Sequence, residues 1–345
     1  MDSANKIDFV LPWVDSTDKA WKKEKEKYDK QSIKTFNNGS MRFQDWGTLR
    51  YVLRGIEKNC SWYNKIYIIT EGHLPAWLDI EHDKIIIVTH DDLYTNKSHL
   101  PVFNSSSIEM NLINIKGLSD KFVYLNDDML ILKILDRTRF FKEGKPVDFL
   151  SHGWLPRNSW FEKIRGMNSW AHSLKNNIQL INKHRSPLQF NNQQLYHPSY
   201  SLKTKISNFL LHKIYKKILW LEHWHHPIPY LKSTLHDVYE LFEEDMMLCS
   251  SNRFRSNTDL NQYLYRYWQL ANGNFYPYKY NDGKYYKIQN IKDIDKCLSD
   301  IEKYSFLCPN DSLPDTISNN DYLYIQNKLL NKLEELLPNK ATFEK

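Results

Sequence analysis

The chain has 345 residues, 41% of them apolar and 26% charged, with a formal net charge of +6. That length supports a sizeable core, either as one long domain or as a core with an inserted subdomain, and the balance is that of a soluble globular protein. Acidic residues are interspersed with the basic ones, which excludes the concentrated basic stripe of a nucleic-acid groove and suits an anionic small substrate or a membrane surface. The four cysteines, Cys60, Cys249, Cys297 and Cys308, form no C-x-x-C, so zinc-ribbon and redox-motif spacings are absent. No signal-peptide pattern and no bilayer-length apolar run is present, which reads as a cytoplasmic protein.

In chain order, IDFVLPWV (7–14) is a buried strand ending at Asp15. Residues 18–40 are charged and polar, read as a solvated helix followed by a loop. Trp46, Leu49, Val52, Leu53 and Ile56 fall at helical spacing. KIYIIT (65–70) and KIIIVTH (84–90) are strands two and three. The stretch 104–118 is a helix whose start has capping-box spacing at Ser106 and Glu109. FVYLND (122–127) is the fourth strand. This alternation predicts an α/β fold: a Rossmann-like, mostly parallel sheet with helical crossovers.

After about residue 150 the strand pattern stops. SHGWLPRNSW (151–160) is loop-like, and 168–222, DVYELFEEDMMLC, LNQYLYRYWQLANG and NDYLYIQNKLLNKLEELL are helical. Three parts are expected: an α/β core over 1–150, a mainly helical insertion over 151–222, and a third part over 223–345.

Ligands of open α/β sheets bind beyond the carboxyl ends of the strands. Those ends carry Trp13–Asp15, Thr70–Gly72, Thr89–Asp91 and Asn126–Asp128. Neither a dinucleotide fingerprint nor a P-loop occurs. Adjacent carboxylates at Asp127 and Asp128 raise each other's pKa and suit a hard cation such as Mg²⁺, although a helix cap or surface ion pair explains them as well. Three histidines in EHWHHPIPYL (222–231) offer a general acid or base, with a His-rich surface loop as the plain alternative. Arg253 and Arg255 offer a phosphate grip, against a solvated loop. Asn310 and Asp311 follow an apolar stretch, where Pro-Asn-Asp turn chemistry is a sufficient account.

These blocks, in this order, resemble the Stealth family of sugar-1-phosphate transferases. The resemblance runs through IDFVLPWVDSTD (7–18), the long stretch from LRYVLRGIEK to KFVYLNDDML, HHPIPYL to NRFRSNTDLNQYLYRYWQL, and FLCPNDSL, with a familiar LLPNKATFEK at the end. It covers nearly the whole chain, apart from 150–222. It implies transfer of a sugar with its phosphate from a UDP-sugar to a hydroxyl of an acceptor glycan, forming a phosphodiester and releasing UMP, in cell-surface or capsular polysaccharide synthesis. It further implies Mg²⁺ or Mn²⁺ on Asp127, Asp128 and Asp311, and nucleotide contacts from Trp13, Asp15, Arg50, Asn310 and Asp311. His225 is implied as the base toward the acceptor, with His226 second, and Arg255 as the transition-state cation. Arg50 and Arg54 are equally suited to ion pairs with Glu57 or Glu109. Two departures, Pro12 for the usual Thr and Pro309 for an aliphatic residue, remove no charge.

Two further readings concern partners. Ile206, Leu210, Ile214 and Ile218 share one helical face opposite Lys205, Lys213 and Lys216, a pattern that fits a helix packed on the core better than one resting on an anionic membrane with a lipid-linked acceptor. A homo-oligomer and a peripheral place at the inner face of the membrane are compatible with the sequence, and nucleic acid is not an expected partner. The competing functions are a metal-dependent glycosyltransferase releasing UDP and a non-catalytic carbohydrate-binding protein.

Overall fold

The computed structural model describes residues 6–29, 46–153, 169–184, 190–314 and 316–345. The loop expected within 30–40 and the one read at 154–160 lie outside the described residues. The expected α/β fold is present. Strands β1 (Ile7–Pro12), β2 (Ile66–Thr70), β3 (Ile85–Thr89) and β4 (Lys121–Tyr124) are mutually parallel, in the order β3-β2-β1-β4. The chain steps outward from β1 to β3 and then returns to the other side of β1. The topological switch point therefore falls between the carboxyl ends of β1 and β4, the crevice where such sheets bind ligands.

Alternation along β1 sends Phe9 and Leu11 to one face and Val10 to the other, each into its own apolar layer. On the first face lies the helix Leu49–Asn59, burying Leu49, Val52, Leu53 and Ile56 as their spacing predicted. It also packs closely on β5 (Leu130–Ile131): a Cβ at Gly55 would sit 2.6 Å from the Ile131 carbonyl oxygen. That approach fixes the chain just after Asp128.

The strand pattern does not stop at residue 150. After two short strands, β6 (Phe141–Lys142) and β7 (Lys145–Asp148), β8 (Ile228–Leu231) joins the central sheet antiparallel to β4. β7 pairs in parallel with β9 (Tyr276–Pro277). β10 (Gly283–Ile288) and β11 (Phe306–Asp311) form a second sheet with β5. Pro309 is thus a strand residue, not a turn. Beyond Leu307 β11 is paired only with β10, so the missing N–H of Pro309 faces an unpaired edge.

Between β7 and β8 the described chain is helical, at Ser169–His184, Asn192–Tyr196 and Leu202–Phe209. Later helices run Lys232–Ser250, Tyr263–Ala271 and Asn319–Leu336. The last packs Ile325, Leu329 and Leu333 into the first layer.

Candidate active site

A cavity of about 320 Å³ opens at the switch point. β1 brings Pro12, Trp13 and Val14 to its wall, and the turn after β4 brings Asn126, Asp127 and Asp128. The end of β11 adds Pro309, Asn310 and Asp311. The acidic pair of one sheet and the Asn-Asp of another thus share one wall. Asn310 donates its amide to Asp128 Oδ2 at 3.1 Å. Leu313 N–H donates to Asp311 Oδ1 at 3.0 Å. Among the described residues the other oxygens, Asp128 Oδ1 and Asp311 Oδ2, are buried with no hydrogen-bond partner. Burial first, then the charge of Asp128, pushes Asp311 up to about 6. Orphaned buried carboxylate oxygens are costly, and a divalent cation relieves that cost. The two orphaned oxygens are therefore candidate ligands for a metal ion.

Another part of the wall is the start of the helix Ser105–Met110, which presents Ser105, Ile108 and Glu109. The expected cap at Ser106 is displaced by Asn104, whose side-chain oxygen accepts from Ser106 N–H. Glu109 is therefore not spent on a capping box. Its Oε2 accepts Gln262 N–H at 2.7 Å and its Oε1 the Tyr124 hydroxyl at 3.1 Å. Burial pushes it up to about 7, against these bonds and the nearby charge of Arg255. Reading Glu109 as a cap or an arginine partner missed it as a cavity residue; a Glu facing inward from a helix at a sheet end was the available signal.

Arg255 lines the same wall, its Nη2 donating to Ser105 Oγ at 3.0 Å. Its loop is organised by Asp259, fully buried and pushed up in pKa by that burial. The Asp259 carboxylate accepts from Asn104 Nδ2 (3.1 Å), Asn252 Nδ2 (2.9 Å) and Ser256 N–H (3.0 Å). Asn104 thus ties the helix start to the arginine loop. Arg253 faces away, bonded to the carbonyls of Leu100 and Pro101.

His225 does not line the cavity. It stands beside it, Nε2 3.9 Å from Asp128 Oδ1, with its ring edge-on to Tyr285. The histidine loop is held from below: Arg266 donates to both oxygens of Asp148 (2.7 and 2.8 Å) and to the Glu222 carbonyl at 2.8 Å. His226, the second choice for a base, packs against Phe306 and Trp224 and bonds the Pro227 carbonyl through Nδ1. Burial, reinforced by Arg139, lowers it to about 3. It is a neutral packing residue.

Besides His225, two expected residues do not line the cavity. Asp15 turns back to accept from Thr17 N–H and Oγ1, while its own N–H donates to His73 Nε2 at 2.8 Å. Arg50 stacks on Trp77 and lies 3.5 Å from Glu344. Arg54 holds Glu344 at 2.6 and 3.0 Å and Glu334 at 2.8 Å, so its partners are neither Glu57 nor Glu109. Glu57 instead accepts from Thr342. At the end of β3 it is His90 that lines the cavity, its Nδ1 paired with the Glu71 carboxylate.

Comparison with known proteins gives the family. Residues 5–33 match the Stealth protein conserved region 1, 42–148 region 2, and 224–269 region 3. A capsular polysaccharide phosphotransferase WcwK of Streptococcus pneumoniae is 36% identical, with all of both chains covered. The receptor polysaccharide phosphotransferase WefC of Streptococcus gordonii is 34% identical over 98% of this chain and 99% of that protein. The exopolysaccharide phosphotransferase cps2G of Lactiplantibacillus plantarum is 32% identical over 98% and 96%. The chain belongs to the Stealth family.

Proposed function

We propose that the protein is a polysaccharide phosphotransferase that moves a sugar-1-phosphate from a UDP-sugar to a hydroxyl of an acceptor glycan and releases UMP. The observation that carries this reading is convergence: Asp127 and Asp128, Asn310 and Asp311, and Arg255 come from three distant stretches to one cavity at the switch point. Family membership and the names of its relatives support the same class of reaction.

In this reading the diphosphate lies between the carboxylate wall and Arg255. Asp127, Asp128 and Asp311 would hold Mg²⁺ or Mn²⁺, which neutralises the charge of the diphosphate and of the departing monophosphate. Arg255, its plane set by Ser105, neutralises the phosphoryl oxygens as their charge shifts in the transition state. His225 takes the proton of the acceptor hydroxyl at Nε2. The acceptor oxygen bonds to the sugar-bearing phosphorus, the bond from that phosphorus to the bridging oxygen breaks, and UMP leaves. Trp13 forms part of the wall on the nucleoside side, and Glu109 offers a hydrogen bond to a donor hydroxyl. Asp15 and Arg50 act at a distance, as structural residues of the sheet end and the C-terminus.

We infer that the acceptor is met at an anionic lipid surface. Leu202, Ile206, Phe209 and Ile214 are 74, 42, 47 and 61% exposed, while the helix packs on the core, as expected, through Thr204, Ser207 and Asn208 on its other face. Leu211 and Ile218 also pack inward. Lys203, Lys213, Lys216 and Lys217 are exposed around the apolar face. An apolar strip in a lysine frame complements anionic headgroups. No described helix is long and apolar enough to cross a membrane. Contact would therefore be at the surface, where a lipid-linked glycan would be presented.

Phosphorus NMR of the enzyme with a panel of UDP-sugars, Mg²⁺ and an acceptor glycan tests the reaction. A new diester resonance with UMP is the expected outcome. Release of UDP without a diester would assign a glycosyltransferase instead.

A further inference from the structure

We propose that Asp128, His225 and Cys308 form a second metal site, selective for a borderline or soft divalent ion such as Zn²⁺ and sharing Asp128 with the oxygen-lined site. One ligand atom from each of the three lies within 4.8 Å of the other two. The Asp128 oxygen that faces His225 at 3.9 Å is also the buried one with no hydrogen-bond partner. A tetrahedral ion with bonds of about 2.0–2.3 Å to nitrogen, oxygen and sulfur needs its ligands about 3.3–3.8 Å apart, so the three close in by about 1.5 Å at most.

The donor types decide which ion fits. Mg²⁺ takes oxygen and leaves imidazole and thiolate unused, whereas a carboxylate, an imidazole and a thiolate together suit Zn²⁺ or Co²⁺, with a fourth position open. The three ligands are also held in place. Cys308 pairs with Tyr285 across the β10–β11 ladder, and the ring of Tyr285 packs on His225 at 5.5 Å. Asn310, two residues after Cys308, fixes the other oxygen of Asp128.

The consequence rests on the phosphotransferase reading, though the site itself does not. An ion held here takes Asp128 from the diphosphate site and the lone pair of His225 from the acceptor hydroxyl. Zn²⁺ would therefore inhibit the reaction that Mg²⁺ supports.

Cobalt titration of the full chain, read by absorbance, tests the site without any need for turnover. One equivalent of Co²⁺ should give a near-ultraviolet thiolate charge-transfer band and intense visible bands of a four-coordinate ion. Zn²⁺ should erase both, and excess Mg²⁺ should leave the charge-transfer band in place. Cys308→Ser should abolish that band, Cys297→Ser should retain it, and His225→Ala, a change at a partly exposed side chain, should weaken Co²⁺ binding at least tenfold. Absence of a thiolate band, its survival in Cys308→Ser, or unchanged affinity in His225→Ala would overturn the proposal. Should the NMR assay show UDP release while the band is present, the reaction assignment fails and the metal site stands.

Discussion

Asn310 donates its side-chain amide to Oδ2 of Asp128 across 182 positions of chain, at 3.1 Å. This one bond joins the end of β11 in the small sheet to the turn after β4 in the central sheet. It leaves Oδ1 of the same carboxylate turned toward His225.

Asn310→Ala should free Asp128 to rotate without removing a charge. The expected result is a loss of about 10- to 100-fold in kcat/KM, the range seen when the partner that orients a metal ligand is lost. The Mg²⁺ concentration for half-maximal rate should rise. A metal titration of the rate checks it, and an unchanged half-maximal concentration would count against Asp128 as a ligand.

His225→Ala should lower kcat by about 10²–10⁴-fold, the usual contribution of a positioned base. His225 approaches from outside the cavity, so donor binding measured by calorimetry should stay near the wild-type value. His226→Ala tests the contrast. Its ring packs on Phe306 and Trp224, so it should cost stability while the folded fraction keeps its turnover.

Glu109 sets a pH dependence of stability. Its folded pKa of about 7 lies above the ordinary value of 4.5. A raised acid favours the native state fully below the ordinary pKa, and that contribution disappears as pH rises through the folded one. The groups facing it are Gln262 N–H, the Tyr124 hydroxyl, Arg255 and Asp259. Between about pH 4.5 and pH 7 the protein should lose roughly 3 kcal/mol from this residue, at 1.36 kcal/mol per pKa unit. Denaturant midpoints across that window should fall less steeply in Glu109→Gln than in the wild type.

Arg54 and Glu344 are a structural pair, their side chains 5 and 2% exposed. Glu344→Ala leaves the guanidinium with Glu334 and the Leu337 carbonyl, so a destabilisation of about 2–4 kcal/mol is expected, near the range for breaking a buried pair. The KM for donor in the folded protein should not change, because neither residue lines the cavity.

The lysine-framed face makes its own prediction. Ile206→Glu with Phe209→Glu should abolish flotation with vesicles containing anionic phospholipid and leave transfer to a water-soluble acceptor intact. Neutral vesicles should bind the wild-type protein at least tenfold more weakly, since about 1 kcal/mol per lysine near an anionic surface would be lost. Equal binding to both kinds of vesicle would contradict the charge argument.

Much of the site was legible locally. Strand β4 running into Asn126–Asp128 reads from a short apolar run and its polar end, because strand patterns and sheet-end chemistry are encoded within a few residues. That the sheet is mostly parallel followed from alternating strands and helices; the order of its strands did not. The same reasoning misplaced Arg50 and Arg54, because their partner lies at the far end of the chain: Arg54 and Glu344 are 290 residues apart. It also misread Glu109, because the helix started two residues earlier than the Ser106 signal, at an Asn104 whose amide is claimed by Asp259.

Sequence alone determined the first four strands, the acidic strand end and the family blocks, since each is written in side-chain periodicity or in a contiguous motif. Which charges face one another was left to the tertiary structure. Asp15 and Asp128 both end central strands, yet one turns back on Thr17 and the other meets Asn310 and His225. Those partners arrive from other parts of the chain, and burial sets what each encounter costs. Only the packed fold could decide that Cys308 and His225 stand beside the carboxylate at all.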